Sequence, residues 1–295
     1  MKEVDTIIFQ DPKKTFMEIL KVHDKEVPFA NLLAFFFRPK EIHKLGTLFI
    51  DSLLDTKHSS ISENKFEEFS LEKLEYEEKS VKVIVEQPTK KGRIDILVVT
   101  NTFVICIEFK INHLLNNPLA DYKEFIEEHL EYTKKKKYYF VLTPFEKAPI
   151  GETKRYFENN NEFKQVILSH FIKTVKERNK ENPNKVEFEN SIHFQYFNEF
   201  IQTVENRKIR SLRRKELTDL SNQLNNKGLE CKYHSNNQGG FVEILKGSNA
   251  VKIRIKPSGW QVEKWKEGVL MLKEICFERE DLVTKATELK SCFLC

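Results

Sequence analysis

No stretch of about eighteen or more apolar residues occurs in the 295-residue sequence, so it offers no candidate membrane-spanning helix. Glycine and proline number only nine each, and no long segment is built from a few residue types. No internal repeat is visible. The opening, MKEVDTIIFQDPKK, puts acidic residues where a secretory signal needs a basic stretch and then an apolar run, and a cytoplasmic protein is expected. Cysteine is scarce and odd in number: Cys106, Cys231, Cys276, Cys292 and Cys295. Scattered in this way they suit reduced thiols rather than a disulfide framework. Cys231-x-x-His234 and Cys292-x-x-Cys295 have the spacing of zinc ligands. The two pairs lie far apart and lack the turn glycines of compact zinc modules. Cys292-Phe-Leu-Cys295 also has the form of a prenylation box, without the basic stretch that usually precedes one. No helicase or methyltransferase motif is present.

What is there is a composition of 40% hydrophobic and 32% charged residues, enough for one large core or two smaller ones. The charge is unevenly placed. Residues 206–295 carry 18 Lys+Arg against 11 Asp+Glu, net +7, and the rest carries 31 against 34, net −3. A basic C-terminal part is compatible with a nucleic-acid partner and equally with a solvated basic surface.

PFANLLAFFFRPKEIHKLGTLFIDSLL reads as two helices. Leu32, Leu33, Phe35, Phe36 and Phe37 make an apolar helix that stops near Arg38-Pro39, because the residue before proline resists helical geometry. Leu45, Leu48, Phe49, Leu53 and Leu54 then recur at helical spacing. A charged stretch over 59–80 is expected to be helical and partly exposed. SVKVIVE, RIDILVVT and FVICIEFKI, separated by QPTKKG and the turn at Asn101, predict a meander of three strands. A helix over 118–132, a fourth strand KYYFVLT, and amphipathic helices over 163–178 and 192–205 complete an α/β sandwich around a mixed sheet. Beyond it, NRKIRSLRRKEL starts a basic helix with Leu212, Leu217, Leu220 and Leu224 on one face. LECKYHS, FVEILKG and AVKIRIK predict a small antiparallel sheet, and the rest from Trp265 is expected to be helical. The expected domains are 1–205 and a small basic α+β domain, 206–295.

Asp95 interrupts the apolar run Ile94 to Val99, and Glu108 and Lys110 end the apolar run that starts at Phe103. Charges are costly to bury alone, so three at the ends of neighbouring core strands serve one another or a metal. Positions i and i+2 share a strand face, which points Glu108 and Lys110 the same way. The set suits phosphodiester hydrolysis. Magnesium takes hard oxygen ligands, one or two of them carboxylates. Asp95 and Glu108 would supply these, with the carbonyl of Phe109 as a third ligand, while Lys110 orients water and balances charge. The plainer alternative is a salt-bridged cluster of Glu108 or Asp95 with Lys110 or Arg93.

The stretch E-QPTKK-GRIDILV-VTNTF-VICIEFKIN resembles the core of the PD-(D/E)xK nuclease superfamily, in particular the branch built as E…GRxDI…(I/V)E-x-KI. NLLAFFFRPKEIHKLGTLFIDSLL resembles that branch's opening, with His43 at its histidine. Leu119, Tyr122 and YYFVLTP match the branch's residues beyond the core. The resemblance covers about residues 28–205. It implies a restriction-endonuclease-like fold, with Asp95 and Glu108 as metal ligands and Lys110 as the catalytic lysine. Glu86 matches the acid ahead of Gly-Arg-x-Asp and is a further candidate ligand or water-holding base, or else an exposed strand-end acid. Where relatives usually carry glutamines, this chain has Asn116-Asn117-Pro118, leaving Asn112 or Asn116 as replacements. His43, between two apolar helices, fits a packing or capping role better than a catalytic one.

The resemblance further implies an endonuclease using Mg²⁺ or Mn²⁺, acting on DNA or alternatively RNA, in restriction or defence against phage. A non-catalytic nucleic-acid-binding or regulatory module is the alternative, as is an effector active only with a partner protein. A homodimer is compatible with either. In the C-terminal part, Arg210, Arg213, Arg214, Lys252, Arg254 and Lys256 are the candidate nucleic-acid contacts. The last three share one strand face, which also fits an edge strand kept soluble by its charges.

Overall fold

The computed structural model describes residues 7–23, 25–56, 59–60, 75–111, 116–144, 151–160, 162–236, 239–246, 248–276, 282, 284–285 and 288. Most of the 59–80 stretch lies outside them, as do Asn112, Cys292 and Cys295. The chain divides into two units, Lys14–Val204, and Met1–Lys13 together with Glu205–Cys295. The first residues go with the C-terminal unit for a local reason. The Arg213 guanidinium donates to the carbonyls of Ile8 and Gln10, both at 2.7 Å, and Asn206 Nδ2 donates to that of Lys13 at 2.6 Å.

In Lys14–Val204 the chain opens with α1 (Phe16–Ile19), α2 (Glu26–Phe37) and α3 (Leu48–Asp55). Pro28 sits in the first turn of α2, where no amide donor is needed, and the helix ends as Arg38 turns extended ahead of Pro39 (ψ 107°). The strands are β1 (Ser59–Ser60), β2 (Lys82–Pro88), β3 (Arg93–Val99), β4 (Phe103–Phe109), β5 (Lys136–Thr143) and β6 (Phe163–Ile167). They form one mixed sheet in the order β1-β6-β5-β4-β3-β2. β2, β3 and β4 make the expected antiparallel meander, whereas β4, β5 and β6 run parallel. Parallel neighbours need crossovers, and α4 (Leu119–Glu128) and α5 (Gly151–Asn159) provide them. α6 (Leu168–Asn179), α7 (Lys185–Glu189) and α8 (Ile192–Asn226) follow.

Every residue of β4 is buried, as a strand covered on both faces requires. Ile96, Val98, Ile105, Ile107 and Phe109 pack on one face with the aromatic side of α2 and with α3, α6 and α8. Leu97, Val99, Val104 and Cys106 pack on the other with Leu119, Tyr122 and Ile126 of α4.

Two expectations about the helices of this part are corrected. Residues 163–178 are not one helix: the first five form β6, and α6 begins directly behind them. The helices expected on either side of residue 206 are one 35-residue helix, α8.

The C-terminal unit holds a five-stranded antiparallel sheet, β11-β10-β9-β8-β7. Its strands are β7 (Cys231–His234), β8 (Phe241–Lys246), β9 (Asn249–Lys256), β10 (Gly259–Lys266) and β11 (Val269–Cys276). Over 265–276 the helix expected from Trp265 onward is therefore replaced by a hairpin, while the described residues beyond it, 282, 284–285 and 288, are helical. Lys266 pairs with Val269 across Glu267-Gly268, both at positive φ (51° and 82°), the conformation that two-residue hairpin turns prefer. One sheet face, with Val242, Ile244, Val251, Ile253, Trp260 and Val262, buries its side chains against Ile8, Leu217, Leu220 and Leu224. No helix among the described residues is long and apolar enough to cross a membrane.

Candidate active site

The charges singled out on β3 and β4 meet where β4 ends. Glu108 is 1% exposed. Its Oε1 accepts a hydrogen bond from Asn117 Nδ2 at 2.6 Å and lies 2.9 Å from Lys110 Nζ. Its Oε2 is buried with no hydrogen-bond partner. Lys110 Nζ also reaches Glu26 Oε2 at 2.8 Å, and Glu26 Oε1 accepts the Ile111 N–H at 3.1 Å. Asp95 Oδ2 accepts the Phe109 N–H at 2.7 Å, which ties β3 to β4 where the strand pairing has stopped. Glu26 comes from the first turn of α2, where the helix dipole favours an acid. Asn117 comes from just ahead of α4, on the opposite side of the sheet.

Glu26 and Glu108 thus share one ammonium, and Asp95 is a third carboxylate within its electrostatic reach. Burial pushes the Glu108 carboxyl well above the usual carboxylate range, and Asp95 adds to it against the pull of Lys110. Burial also raises Asp95, to about 6. The Phe109 N–H and Lys110 oppose that rise, and Glu26 and Glu86 reinforce it. Around Lys110 the balance reverses: burial works against the charge, but Glu108 and Glu26 outweigh it and hold the amine protonated. The site is short of positive charge. An unpartnered buried oxygen on Glu108, with a second buried carboxylate at Asp95, is what a cation would satisfy. Among the described residues no group of three or more His, Cys, Asp or Glu side chains gathers as a metal site. Two carboxylates are what magnesium ordinarily takes, with water filling the rest of its shell.

Val85 pairs with Ile96 and Gln87 with Ile94, so Glu86 falls opposite Asp95, but these two drop out of the ladder. Glu86 has φ 53°, a left-handed conformation costly for a residue with a side chain. The facing pattern breaks at the same place: Ile94 packs with Leu97 and Val99, while Ile96 turns to the other layer. This kink accompanies the turn of Asp95 toward the end of β4. The Glu86 carboxylate is held by Arg93, Oε2 to Nη1 at 2.9 Å, and not by Lys110.

Other expectations resolve differently. Asn117, not singled out from the sequence, supplies an amide to the site, and Asn112 lies outside the described residues. His43 is buried, its Nδ1 accepting the Leu45 N–H at 3.0 Å and its Nε2 donating to the Phe35 carbonyl at 3.1 Å, which is a packing role. Arg213, expected at a nucleic-acid surface, is 3% exposed and committed to the carbonyls of Ile8 and Gln10. Arg214 is exposed, and Arg210 and Lys256 are half-buried. β9 is not an edge strand, since β8 and β10 flank it, so the edge-protection reading of its charges falls. Lys252 pairs with Glu243 and Arg254 with Glu263, both at 3.3 Å, and the Arg254 guanidinium lies 4.4 Å from the Phe241 ring centre. Cys231 joins the packed face of its sheet, whereas His234 stacks on Phe241. Three positions apart on a strand, they point to opposite faces and cannot close on one zinc ion.

Sequence reasoning missed Glu26. An acid at the start of an apolar helix reads as a dipole partner, and its contact with Lys110 spans 84 residues. Asn117 was within reach, because it stands where relatives carry a longer amide. A family model described as PD-(D/E)XK nuclease superfamily matches residues 15–224. No curated protein and no solved structure matches the chain. With its mixed sheet flanked by helices and a separate antiparallel sheet in the C-terminal unit, the chain belongs to the PD-(D/E)XK nuclease superfamily and has a restriction-endonuclease-like α/β fold.

Proposed function

We propose that the protein is a magnesium-dependent endonuclease that hydrolyses phosphodiester bonds in DNA, with Mn²⁺ as a substitute ion. The observation that carries this reading is the buried, unpartnered Oε2 of Glu108, a carboxylate that pairs with Lys110 through its other oxygen and is opposed by the charge of Asp95. Asp95, Glu108 and the carbonyl of Phe109 would hold the ion, which supplies positive charge at the scissile phosphate and lowers the pKa of water. Lys110, kept protonated, donates its N–H groups to the developing negative charge and is not a base. Glu26 fixes the Lys110 amine from the helix side, and Asn117 fixes Glu108 from the other. Glu86, opposite Asp95 on the neighbouring strand, is assigned to hold the attacking water. The resemblance of the core to bacterial and phage-related relatives supports action in the cytoplasm, in restriction or antiphage defence, with a partner protein as a source of targeting.

The test is incubation of the purified chain with linear, supercoiled and single-stranded DNA and with RNA across metals. Cleavage is expected with Mg²⁺ and Mn²⁺ and none in excess EDTA. Ca²⁺ is expected to support binding without turnover, because it tolerates looser coordination and acidifies water less. Brisk cleavage in EDTA would remove the metal mechanism. Cleavage of RNA alone would reassign the substrate.

We further assign nucleic-acid contacts to Arg210, Arg214 and Lys256 in the C-terminal unit, with Lys252 and Arg254 engaged by their glutamates. Neutralising Arg214 and Lys256 to Gln should make the dependence of log affinity on log salt shallower by up to ~2, at ~0.9 per phosphate contact. Lys252→Gln with Arg254→Gln should lower thermal stability instead and leave the slope nearly unchanged. An unchanged slope in the first pair would count against this surface.

A further inference from the structure

Asp95 feels the charges of Glu26 and Glu86, and Glu108 feels those of Asp95 and Glu26. Against these four carboxylates stand Lys110 and Arg93, each already paired with members of the group. Acids in excess repel a phosphodiester backbone. A strand that comes to this cluster therefore needs cationic holds at its border.

The neighbouring hairpin carries them. Between β2 and β3, Lys90, Lys91 and Arg93 put three cations into four positions. Lys90 is committed to α4, its Nζ 2.6 Å from Glu124 Oε1 and 3.4 Å from Glu128 Oε2. Lys91 is exposed and pairs with no acid among the described residues. The Arg93 side chain is 64% exposed and meets Glu86 through Nη1 at 2.9 Å, which leaves its other N–H groups open. An exposed ion pair of this kind holds weakly, so a phosphate can join or displace it at little cost.

The backbone beneath these cations is fixed. The Thr89 N–H donates to the Gly92 carbonyl at 2.9 Å, and the Gly92 N–H to the Thr89 hydroxyl at 3.2 Å. Asp121 of α4 accepts the Thr89 hydroxyl and, at 3.0 Å, the Lys91 N–H. Asn117, just ahead of the same helix, holds Glu108. Lys91 and Arg93, four and two positions before Asp95, thus share one frame with the carboxylates, unlike lysines on a loose solvated loop.

We propose that Lys91 and Arg93 grip the phosphate backbone of the bound strand beside the acid cluster, and so choose which phosphodiester reaches Asp95 and Glu108. Arg93 offers forked N–H groups to phosphate oxygens, and Lys91 a point charge. The assignment rests on the nuclease reading above and adds to it the element of Lys14–Val204 that holds the substrate.

Anisotropy of a fluorescein-labelled DNA duplex in Ca²⁺, titrated with protein over a salt series, reads these contacts without cleavage. Lys91→Gln with Arg93→Gln should make the dependence of log affinity on log salt shallower by ~1.8, at ~0.9 per phosphate contact. Affinity should fall at least ~10-fold at ~0.1 M salt. Circular dichroism and melting temperature should stay nearly unchanged, since both side chains are exposed. Lys91→Arg with Arg93→Lys keeps both charges and should keep the slope. Lys176→Gln with Lys180→Gln removes two exposed charges from α6 and should leave the slope nearly as it is. The proposal is overturned by an unchanged slope in the folded hairpin variant, by a charge-keeping variant that loses the slope too, or by an equal loss from the α6 pair. Any of these beside a wild type that cleaves DNA ends this assignment and spares the nuclease reading. A wild type that neither binds nor cleaves DNA ends both.

Discussion

Glu108→Gln is expected to lower cleavage at least ~10²-fold while making the metal-free protein more stable, an opposition that a purely structural acid would not show. The loss comes from removing a carboxylate beside Asp95. The gain comes from burial: Glu108 is 1% exposed, one of its oxygens has no partner, and its neighbour Asp95 is also an acid. A glutamine keeps an oxygen for Lys110 and Asn117 and carries no charge to oppose that of Asp95. Replacing a strained buried charge by a neutral group of the same shape is commonly neutral or stabilising. Thermal melts of both proteins in EDTA, beside cleavage assays in Mg²⁺, measure the two effects. A folded Glu108→Gln variant that cleaves like wild type would end the catalytic assignment, and one that melts lower in EDTA would end the charge-strain account.

Lys110→Ala is expected to fail in both respects. The amine bridges Glu26 and Glu108 at 2.8 and 2.9 Å in a site where all three side chains are largely buried. Removing the cation leaves two carboxylates facing each other without it, a loss on the order of 3–5 kcal/mol for a buried pair. Activity should fall at least ~10²-fold as well, because the charge that opposes the transition state's own is gone. The two losses separate in the double variant. With Glu108→Gln added, the remaining repulsion is largely relieved, so stability should recover by more than Glu108→Gln contributes alone, while activity should not recover. Such non-additivity is the signature of direct coupling. Strictly additive stabilities would show that the pair is not coupled as the distances imply.

The core of this site was legible because burial and charge conflict so plainly in the sequence. Asp95 within Ile94 to Val99, and Glu108 at the end of a strand with no other polar residue, have few explanations besides mutual service. The two N-terminal helices and the meander were legible too, from helical spacing, the Arg38-Pro39 stop and the β-branched runs. What was not legible depended on distance or on tertiary override. Nothing near Glu26 announces a lysine 84 positions on. Phe163–Ile167 runs into α6 with no glycine or proline between them, so one apolar pattern concealed a strand and a helix. In β11 the leucines, methionine, lysine and glutamate favour a helix by local preference. The decisive signal was the Glu267-Gly268 turn, which positive φ at both residues shows to be a hairpin. Arg213 looked like one more member of a basic cluster because its use, holding the backbone of residues 8 and 10, lies two hundred positions away.

The hairpin between β2 and β3 also links parts of the site that carry no common charge. Asp121 of α4 accepts from the Thr89 hydroxyl and from the Lys91 N–H, which pins the turn to the helix. Gly92 then passes so close to α4 that a methyl group there would stand 3.1 Å from both Pro118 and the Tyr122 hydroxyl. Tyr122 is 2% exposed and has little room to retreat. Its hydroxyl shares a hydrogen bond with the Asn117 side chain, and Asn117 in turn holds Glu108. Asp95 comes three residues after Gly92, in β3. The glycine thus acts as a spacer gauge: its missing side chain sets the gap between hairpin and helix, and both carboxylates inherit their positions from that gap. The Gly-Arg-x-Asp order is then a mechanical unit as well as a chemical one, in which the residue with no functional group decides how far apart the functional groups stand.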